Sequence, residues 1–278
     1  MSRKKVTIAE LQQKKQKKEK ITMLTAYDYP TARILDQAEI DTVLVGDSGG
    51  MVALGYESTV PVTMEEMLFM SKAVARGIQS AFIIADMPFM SYQGSDERAV
   101  DNAGRFIKEA GCDAVKLEGG SDFASTVRAI VRAGIPVCAH IGLTPQTATM
   151  LSGFKVQGKD AEGARKLIQS AKDLEEAGAF MIVFECIPDT LAARITAELK
   201  IPTIGIGAGK DCDGQVLVYH DTVGLFERFI PKFAKQYLNL TPMIRDAVIQ
   251  YKTDVETGAF PGPEHMFTMS QEELDKLY

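Results

Sequence analysis

One unit recurs along the chain: a short apolar run rich in Val and Ile, a polar or Gly-bearing loop, then an amphipathic stretch. Eight such runs fall at residues 21–26, 42–46, 81–85, 113–117, 136–139, 180–184, 203–206 and 216–219. Near-continuous apolar character over a few residues is what a parallel strand buried on both faces requires. Between most runs the helix ends are legible. Thr63 opens T-M-E-E, a capping-box spacing with Glu66, and predicts a helix running to about Gly77. Ser95 or Asp96 caps the next, which stops at Gly111; Asp122 opens one ending at Gly134, Asp160 one ending at Gly178, and Pro188 suits the first turn of a sixth. About eight strands alternating with helices in 278 residues predicts a (β/α)8 TIM barrel.

An open doubly wound sheet competes with the barrel, and the polar residues decide between them. Asp47, Asp86, Glu118, His140 and Glu185 each stand at the C-terminal end of a different apolar run. A closed barrel gathers those ends into one ring, whereas an open sheet spreads them along an edge. About ten residues separate the seventh and eighth runs, too few for a crossover helix, so that unit is expected to be abbreviated. After Pro231 come an amphipathic stretch near 241–255 and a Pro-Gly-rich tail at 260–267, which read as cover for the barrel wall or a neighbouring subunit. The expected organisation is one domain over residues 1–278, with a basic cap helix at about 1–20 and a helical extension and tail at about 231–278.

Composition narrows the partners. Apolar residues at 46% and charged residues at 24% argue against disorder. The formal net charge of −6 is uneven: the first 20 residues hold eight Lys and Arg against two Glu, which leaves a strongly acidic body. Such a body is a poor platform for nucleic-acid phosphates, and the basic leader reads as a solvated cap helix. No run approaches the roughly 20 apolar residues of a membrane span. Cys112, Cys138, Cys186 and Cys212 lie far apart without a C-x-x-C pair, so neither a zinc knuckle nor a disulfide framework is signalled; a reduced, cytoplasmic protein is expected.

Three strand ends carry carboxylates followed by small or turn-forming residues: L-V-G-D-S (44–48), I-A-D-M-P-F (84–89) and V-K-L-E-G-G (115–120). Three carboxylates converging on one barrel mouth repel one another unless a cation sits between them, and all-oxygen ligation favours Mg2+. Capping of the following helix is the alternative for any one of them. Lys116 lies two residues before Glu118, so both side chains face the barrel interior. That lysine could pair with Glu118, hold an anionic substrate group or form a Schiff base, although a neighbouring carboxylate keeps the amine charged and disfavours the last. His140 is either a satisfied structural residue or a member of the ring. Glu185 stands apart from the trio, available as a general base or as a plain strand-end carboxylate. The glycines of I-G-I-G-A-G (204–209) do not match the dinucleotide fingerprint in spacing or position and are expected to make room for a ligand or phosphate.

Taken together, T-A-Y-D (25–28), V-G-D-S, G-Y-E-S-T-V-P-V-T-M-E-E-M (55–67), D-M-P-F-M-S-Y, V-K-L-E-G-G, H-I-G-L-T-P-Q, F-E-C-I-P, G-I-G-A-G, C-D-G-Q-V-L-V (212–218), P-K-F-A-K-Q-Y-L-N-L (231–240) and F-P-G-P-E-H span nearly the whole chain. In combination they resemble the ketopantoate hydroxymethyltransferase family of pantothenate biosynthesis. The resemblance implies a barrel of the phosphoenolpyruvate/pyruvate type. It implies Mg2+ held through Asp47, Asp86 and Glu118, a 2-oxo acid contacted by Asp47, Ser48, Asp86, Lys116 and His140, and Glu185 as proton acceptor. It also implies 5,10-methylenetetrahydrofolate as one-carbon donor to 3-methyl-2-oxobutanoate, and a large homo-oligomer, a decamer. Met90 stands where the family often has a small residue and is expected to narrow its loop. Two other readings remain at this level: a metal-dependent lyase or mutase of the same barrel group, which commonly carries a nucleophilic Cys loop of the K-K-C-G-H type missing from this sequence, and a non-catalytic assembly barrel.

Overall fold

A computed structural model describes residues 3–151 and 153–278. Eight parallel strands close into a barrel in sequence order: β1 (Ile21–Thr25), β2 (Thr42–Val45), β3 (Phe82–Asp86), β4 (Ala114–Glu118), β5 (Val137–Gly142), β6 (Met181–Glu185), β7 (Thr203–Ile206) and β8 (Gly214–Leu217). Strand alternation sends Ile21, Met23, Leu44, Ile84, Ala114, Cys138, Met181, Val183, Ile204 and Val216 into one apolar interior. The same alternation carried one step further puts Asp86, Lys116, Glu118, His140 and Glu185 on top of that interior. Register keeps them level: Asp86 pairs with Lys116, Glu118 with His140, and Gly142 with Glu185.

Helices α2 (Tyr29–Gln37), α4 (Met64–Gly77), α5 (Asp96–Lys108), α6 (Ala124–Arg132), α7 (Ala161–Glu176) and α8 (Asp189–Glu198) wrap the outside, with the one-turn α3 (Gly49–Val52) after β2 and an N-terminal α1 (Ile8–Lys17). The capping box at Thr63 and Glu66 and the caps at Ser95 and Asp160 form as the sequence predicts. Helix α5 ends before Gly111 because the Cys112 amide turns back to the Phe106 carbonyl at 3.1 Å, with Gly111 in the left-handed region at φ +74°. Residues 121–123 form a 3-10 turn, so α6 begins two residues after Asp122. No helix separates β7 from β8. The chain ends in the short α9 (Tyr219–Val223), α10 (Leu240–Thr257) and α11 (Gln271–Asp275). Among the described residues no helix is long and apolar enough to cross a membrane.

The basic leader is not merely solvated. Helix α1 closes the barrel floor: Leu11 is fully buried against the interior cluster. Its lysines reach aspartates that immediately precede strands. Lys14 pairs with Asp41 and Lys15 with Asp213, both at 2.7 Å; ahead of the helix, Arg3 pairs with Asp41 at 2.7 Å and Lys5 with Asp113 at 2.6 Å. Each aspartate also accepts the first amides of an adjoining strand, from Thr22, Ile83 and Thr203. The floor of the barrel is therefore stitched to the leader, while the C-terminal strand ends stay open as a mouth.

Candidate active site

A cavity of about 350 Å3 opens at that mouth, and Asp47, Ser48, Asp86, Lys116, Glu118, His140 and Glu185 all line it. Lys116, Asp86, Glu118, Asp47 and His140 are each less than 5% exposed. The loops after β5 and β8 supply its apolar upper wall through Phe154, Phe226, Phe229 and Phe233.

Lys116 organises the centre. Its Nζ lies 3.0 Å from His140 Nδ1 and 3.1 Å from Asp86 Oδ1. Because an ammonium can only donate, Nδ1 must be the acceptor; Nε2 then carries the proton and donates to the Leu143 carbonyl at 2.9 Å, with Glu185 Oε2 at 3.4 Å. Burial and the Lys116 charge hold the imidazole below its ordinary pKa, so His140 is neutral. Burial opposes the Lys116 charge as well, but Asp86, Glu118 and Asp47 outweigh it and keep the amine protonated. A charged amine is not a Schiff-base nucleophile. His140 lines the cavity, and both of its ring nitrogens are engaged by protein groups, Nδ1 by Lys116 and Nε2 by the Leu143 carbonyl beside Glu185.

The carboxylates are held by two side chains that pattern reasoning did not single out. Gln146 Nε2 donates to Asp47 Oδ2 and to the Met87 carbonyl, both at 2.9 Å, and the Gln146 amide donates to Glu118 Oε2 at 3.1 Å. The Tyr92 hydroxyl accepts the Glu118 amide at 3.1 Å and donates to Gln146 Oε1 at 2.8 Å. Both residues sit inside motifs of the resemblance, the S-Y and the T-P-Q, but neither type announces itself as catalytic. Asp47 donates its own amide to Asp86 Oδ2 at 3.1 Å. Ser48 Oγ lies 2.9 Å from the Tyr27 hydroxyl, and a Cβ at Gly46 would come within 2.7 Å of that Oγ. On the next side of the ring, Gly142 is at φ +101°, and a Cβ there would run into the Glu185 carbonyl.

The electrostatics leave room for a cation. Burial pushes Asp47 up to about 7, with the Asp86 charge adding to it, and burial together with Asp47, Glu185 and Asp86 pushes Glu118 well above the usual carboxylate range against the pull of Lys116. Asp86 Oδ1 is buried with the Lys116 ammonium 3.1 Å away as its cationic neighbour, and it accepts no well-aligned hydrogen bond among the described residues. One ammonium faces four carboxylates. Among the described residues no three Asp, Glu, His or Cys side chains form a ready-made metal cage. That is compatible with Mg2+, which takes one or two protein carboxylates and fills its remaining positions with water and substrate. The residues fit such an ion, since Asp47, Asp86 and Glu118 are buried and all line the same cavity.

Two expectations are corrected. The glycines of the β7 segment do not make room for a ligand: a Cβ at Gly207 would meet the Phe233 ring at 2.9 Å and one at Gly209 would meet the Asp189 side chain at 2.5 Å, and only Ile206 of that segment lines the cavity. Met90 is half exposed and lies outside the cavity lining, so it does not narrow the site.

A closed parallel barrel of eight strands with polar strand ends over an apolar interior is a (β/α)8 TIM barrel. The chain superposes on a phosphoenolpyruvate phosphomutase from Streptomyces platensis with a TM-score of 0.61 at 14% identity, covering 97% of this chain and 96% of the other. It superposes on 2,3-dimethylmalate lyase, itself a phosphoenolpyruvate mutase/isocitrate lyase superfamily member, with a TM-score of 0.58 at 14% identity, covering 97% of each. At the level of sequence the assignment is narrower. The model of the ketopantoate hydroxymethyltransferase family matches residues 5–263, and the 3-methyl-2-oxobutanoate hydroxymethyltransferase of Syntrophomonas wolfei is 56% identical over 273 residues, 98% of this chain and 99% of that protein. The chain belongs to the ketopantoate hydroxymethyltransferase family and is a transferase.

Proposed function

We propose that the chain transfers a one-carbon unit from 5,10-methylenetetrahydrofolate to 3-methyl-2-oxobutanoate, giving 2-dehydropantoate and tetrahydrofolate, with Mg2+ at the carboxylates and Glu185 as general base. The observation that carries this reading is the charged Lys116 held between Asp86 and neutral His140 beside Glu185 in a buried pocket. Mg2+ bound by Asp47, Asp86 and Glu118 would draw electron density from the keto and carboxylate oxygens of the oxo acid and so acidify its C3 proton. Glu185, which lines the cavity with its side chain 15% exposed, takes that proton. Lys116 offsets the charge that develops on the substrate oxygens, and Ser48 offers a hydroxyl to the same group. His140 keeps Lys116 and Glu185 in register. Over the reaction both carbon–nitrogen bonds of the donor's methylene bridge break: that carbon gains one bond to C3 and one to the oxygen of a water molecule, and the two freed folate nitrogens take up the C3 proton and one proton of the water.

A homo-oligomer belongs to the same proposal. None of the residues of α10 is buried, and Met243, Ile244, Val248 and Tyr251 stand exposed along it, which supports association through this extension. The activity is tested by incubating the purified protein with both substrates and following 2-dehydropantoate by mass spectrometry, with and without a chelator. Product that forms at the same rate under excess EDTA would remove the metal from the proposal, and the failure of any product to form would remove the activity.

A further inference from the structure

The ring just described uses every carboxylate in the cavity lining but one. Asp221 lines the same cavity, 5% exposed, from the chain that leaves β8. In the closed barrel β8 lies opposite β4, so Asp221 stands across the mouth from Lys116 and Glu118. Its carboxylate faces the cavity, and among the described residues burial alone acts on it, with no hydrogen-bond donor and no cation beside it. Desolvation alone raises it to about 6, which leaves it ionised at neutral pH. Its place in the first turn of α9 does not account for it, because that helix is a single turn with no side-chain cap. A desolvated, ionised carboxylate facing a cavity without a donor is costly unless a ligand supplies one.

The surroundings define that ligand. Phe226, Phe229 and Phe233 from the loop after β8 and Phe154 from the loop after β5 turn apolar surface toward the cavity above the polar ring, a lining suited to a flat heteroaromatic system. Lys155 and Lys232, on the same two loops, also line the cavity, and neither forms an ion pair among the described residues. A ligand that places a planar ring deep in the mouth, two adjacent N–H donors at the ring's far edge and carboxylates at the rim would satisfy all three features.

We infer that Asp221 is the residue that recognises the pterin of the folate donor, its two oxygens accepting the ring N3–H and the 2-amino group, while Lys155 and Lys232 meet the glutamyl carboxylates. The inference rests on the folate reading above and adds where and how the donor binds. A 2-amino-4-oxopyrimidine edge presents two parallel donors at the spacing of one carboxylate, the same match that pairs carboxylate with guanidinium. Lying opposite Lys116, the pterin would bring its one-carbon unit toward the oxo acid from the β8 side.

The test uses the full-length protein with tetrahydrofolate as the binding probe, followed by calorimetry, and 5,10-methylenetetrahydrofolate as donor. Asp221→Asn turns one acceptor oxygen into a donor facing a donor. It is expected to weaken tetrahydrofolate binding and raise the donor KM by roughly 10–100-fold. The KM for 3-methyl-2-oxobutanoate and the folate-free exchange of its C3 proton are expected to stay within about twofold, a split that a misfolded barrel would not give. Asp221→Glu should recover part of the lost donor affinity. Tetrahydrofolate binding as tight in Asp221→Asn as in the unaltered protein would overturn the assignment while leaving the folate reading intact. Loss of C3 exchange alongside folate binding would also overturn it, by placing Asp221 in the oxo-acid half of the site. An unaltered protein that neither forms product from 5,10-methylenetetrahydrofolate nor binds tetrahydrofolate would overturn both.

Discussion

Lys116 Nζ donates to His140 Nδ1 at 3.0 Å, and this contact fixes the protonation of both residues: ammonium on one side, neutral imidazole with its proton on Nε2 on the other. The acceptor matters more than the ring. His140→Asn can keep an oxygen near the Nδ1 position, whereas His140→Leu cannot. The expected result is a kcat lowered roughly 10-fold in the first variant and 100-fold in the second, the range seen when a residue that orients a functional group is removed. Steady-state kinetics at saturating substrates check the order, and equal losses would show that the imidazole acts by some route other than accepting from Lys116.

Gln146 bridges Asp47, Glu118, the Met87 carbonyl and Tyr92. Gln146→Leu would leave the Tyr92 hydroxyl without its acceptor and Asp47 without its donor. The fold should lose about 1–3 kcal/mol, and the Mg2+ concentration for half-maximal activity should rise roughly 10-fold or more as Asp47 drifts. Thermal unfolding and a metal titration measure the two effects separately. A variant with unchanged metal dependence would detach Gln146 from the carboxylate cluster.

Much of this arrangement is legible in the pattern, because strand alternation alone sends Lys116 and Glu118 to one face and the closed barrel levels Asp86, His140 and Glu185 with them. Gln146, Tyr92 and Asp221 are not legible. Glutamine and tyrosine organise by hydrogen bonds whose partners come from other strands, so no spacing in the chain reveals them. Asp221 falls after β8, beyond the apolar run, where an aspartate reads as an ordinary helix-start residue. The leader reads as solvated for a similar reason: a lysine run shows no partners in the chain, and the aspartates at residues 41, 113 and 213 lie beneath it only in the fold. The β7 glycines mislead in the other direction, since their neighbours are Phe233 from the loop after β8 and Asp189 at the start of α8, neither of which the motif contains.

Asp41 binds Lys14 and Arg3 and accepts the Thr22 amide, with its side chain 4% exposed. Burial raises its pKa, but Lys14, Thr22 and Arg3 together hold it below the ordinary carboxylate value. A depressed carboxylate contributes stability above its unfolded pKa of about 3.9 and loses it as pH falls through the lower folded value. Asp41→Asn should therefore cost about 3 kcal/mol at pH 7, with the gap to the unaltered protein level down to about pH 5 and closing below about pH 4. Denaturant unfolding across that range checks the sign; a gap that widens on acidification would contradict it.

The central claim is that the barrel mouth removes the C3 proton of the oxo acid through Glu185, and proton exchange reads that step without the folate half. The protein is incubated with 3-methyl-2-oxobutanoate and Mg2+ in deuterium oxide, and the C3 signal is followed by NMR. The account predicts exchange in the unaltered protein and a loss of roughly 1,000-fold or more in Glu185→Gln, with Mg2+ affinity retained. Exchange at the original rate in Glu185→Gln would contradict it and assign the proton to another group.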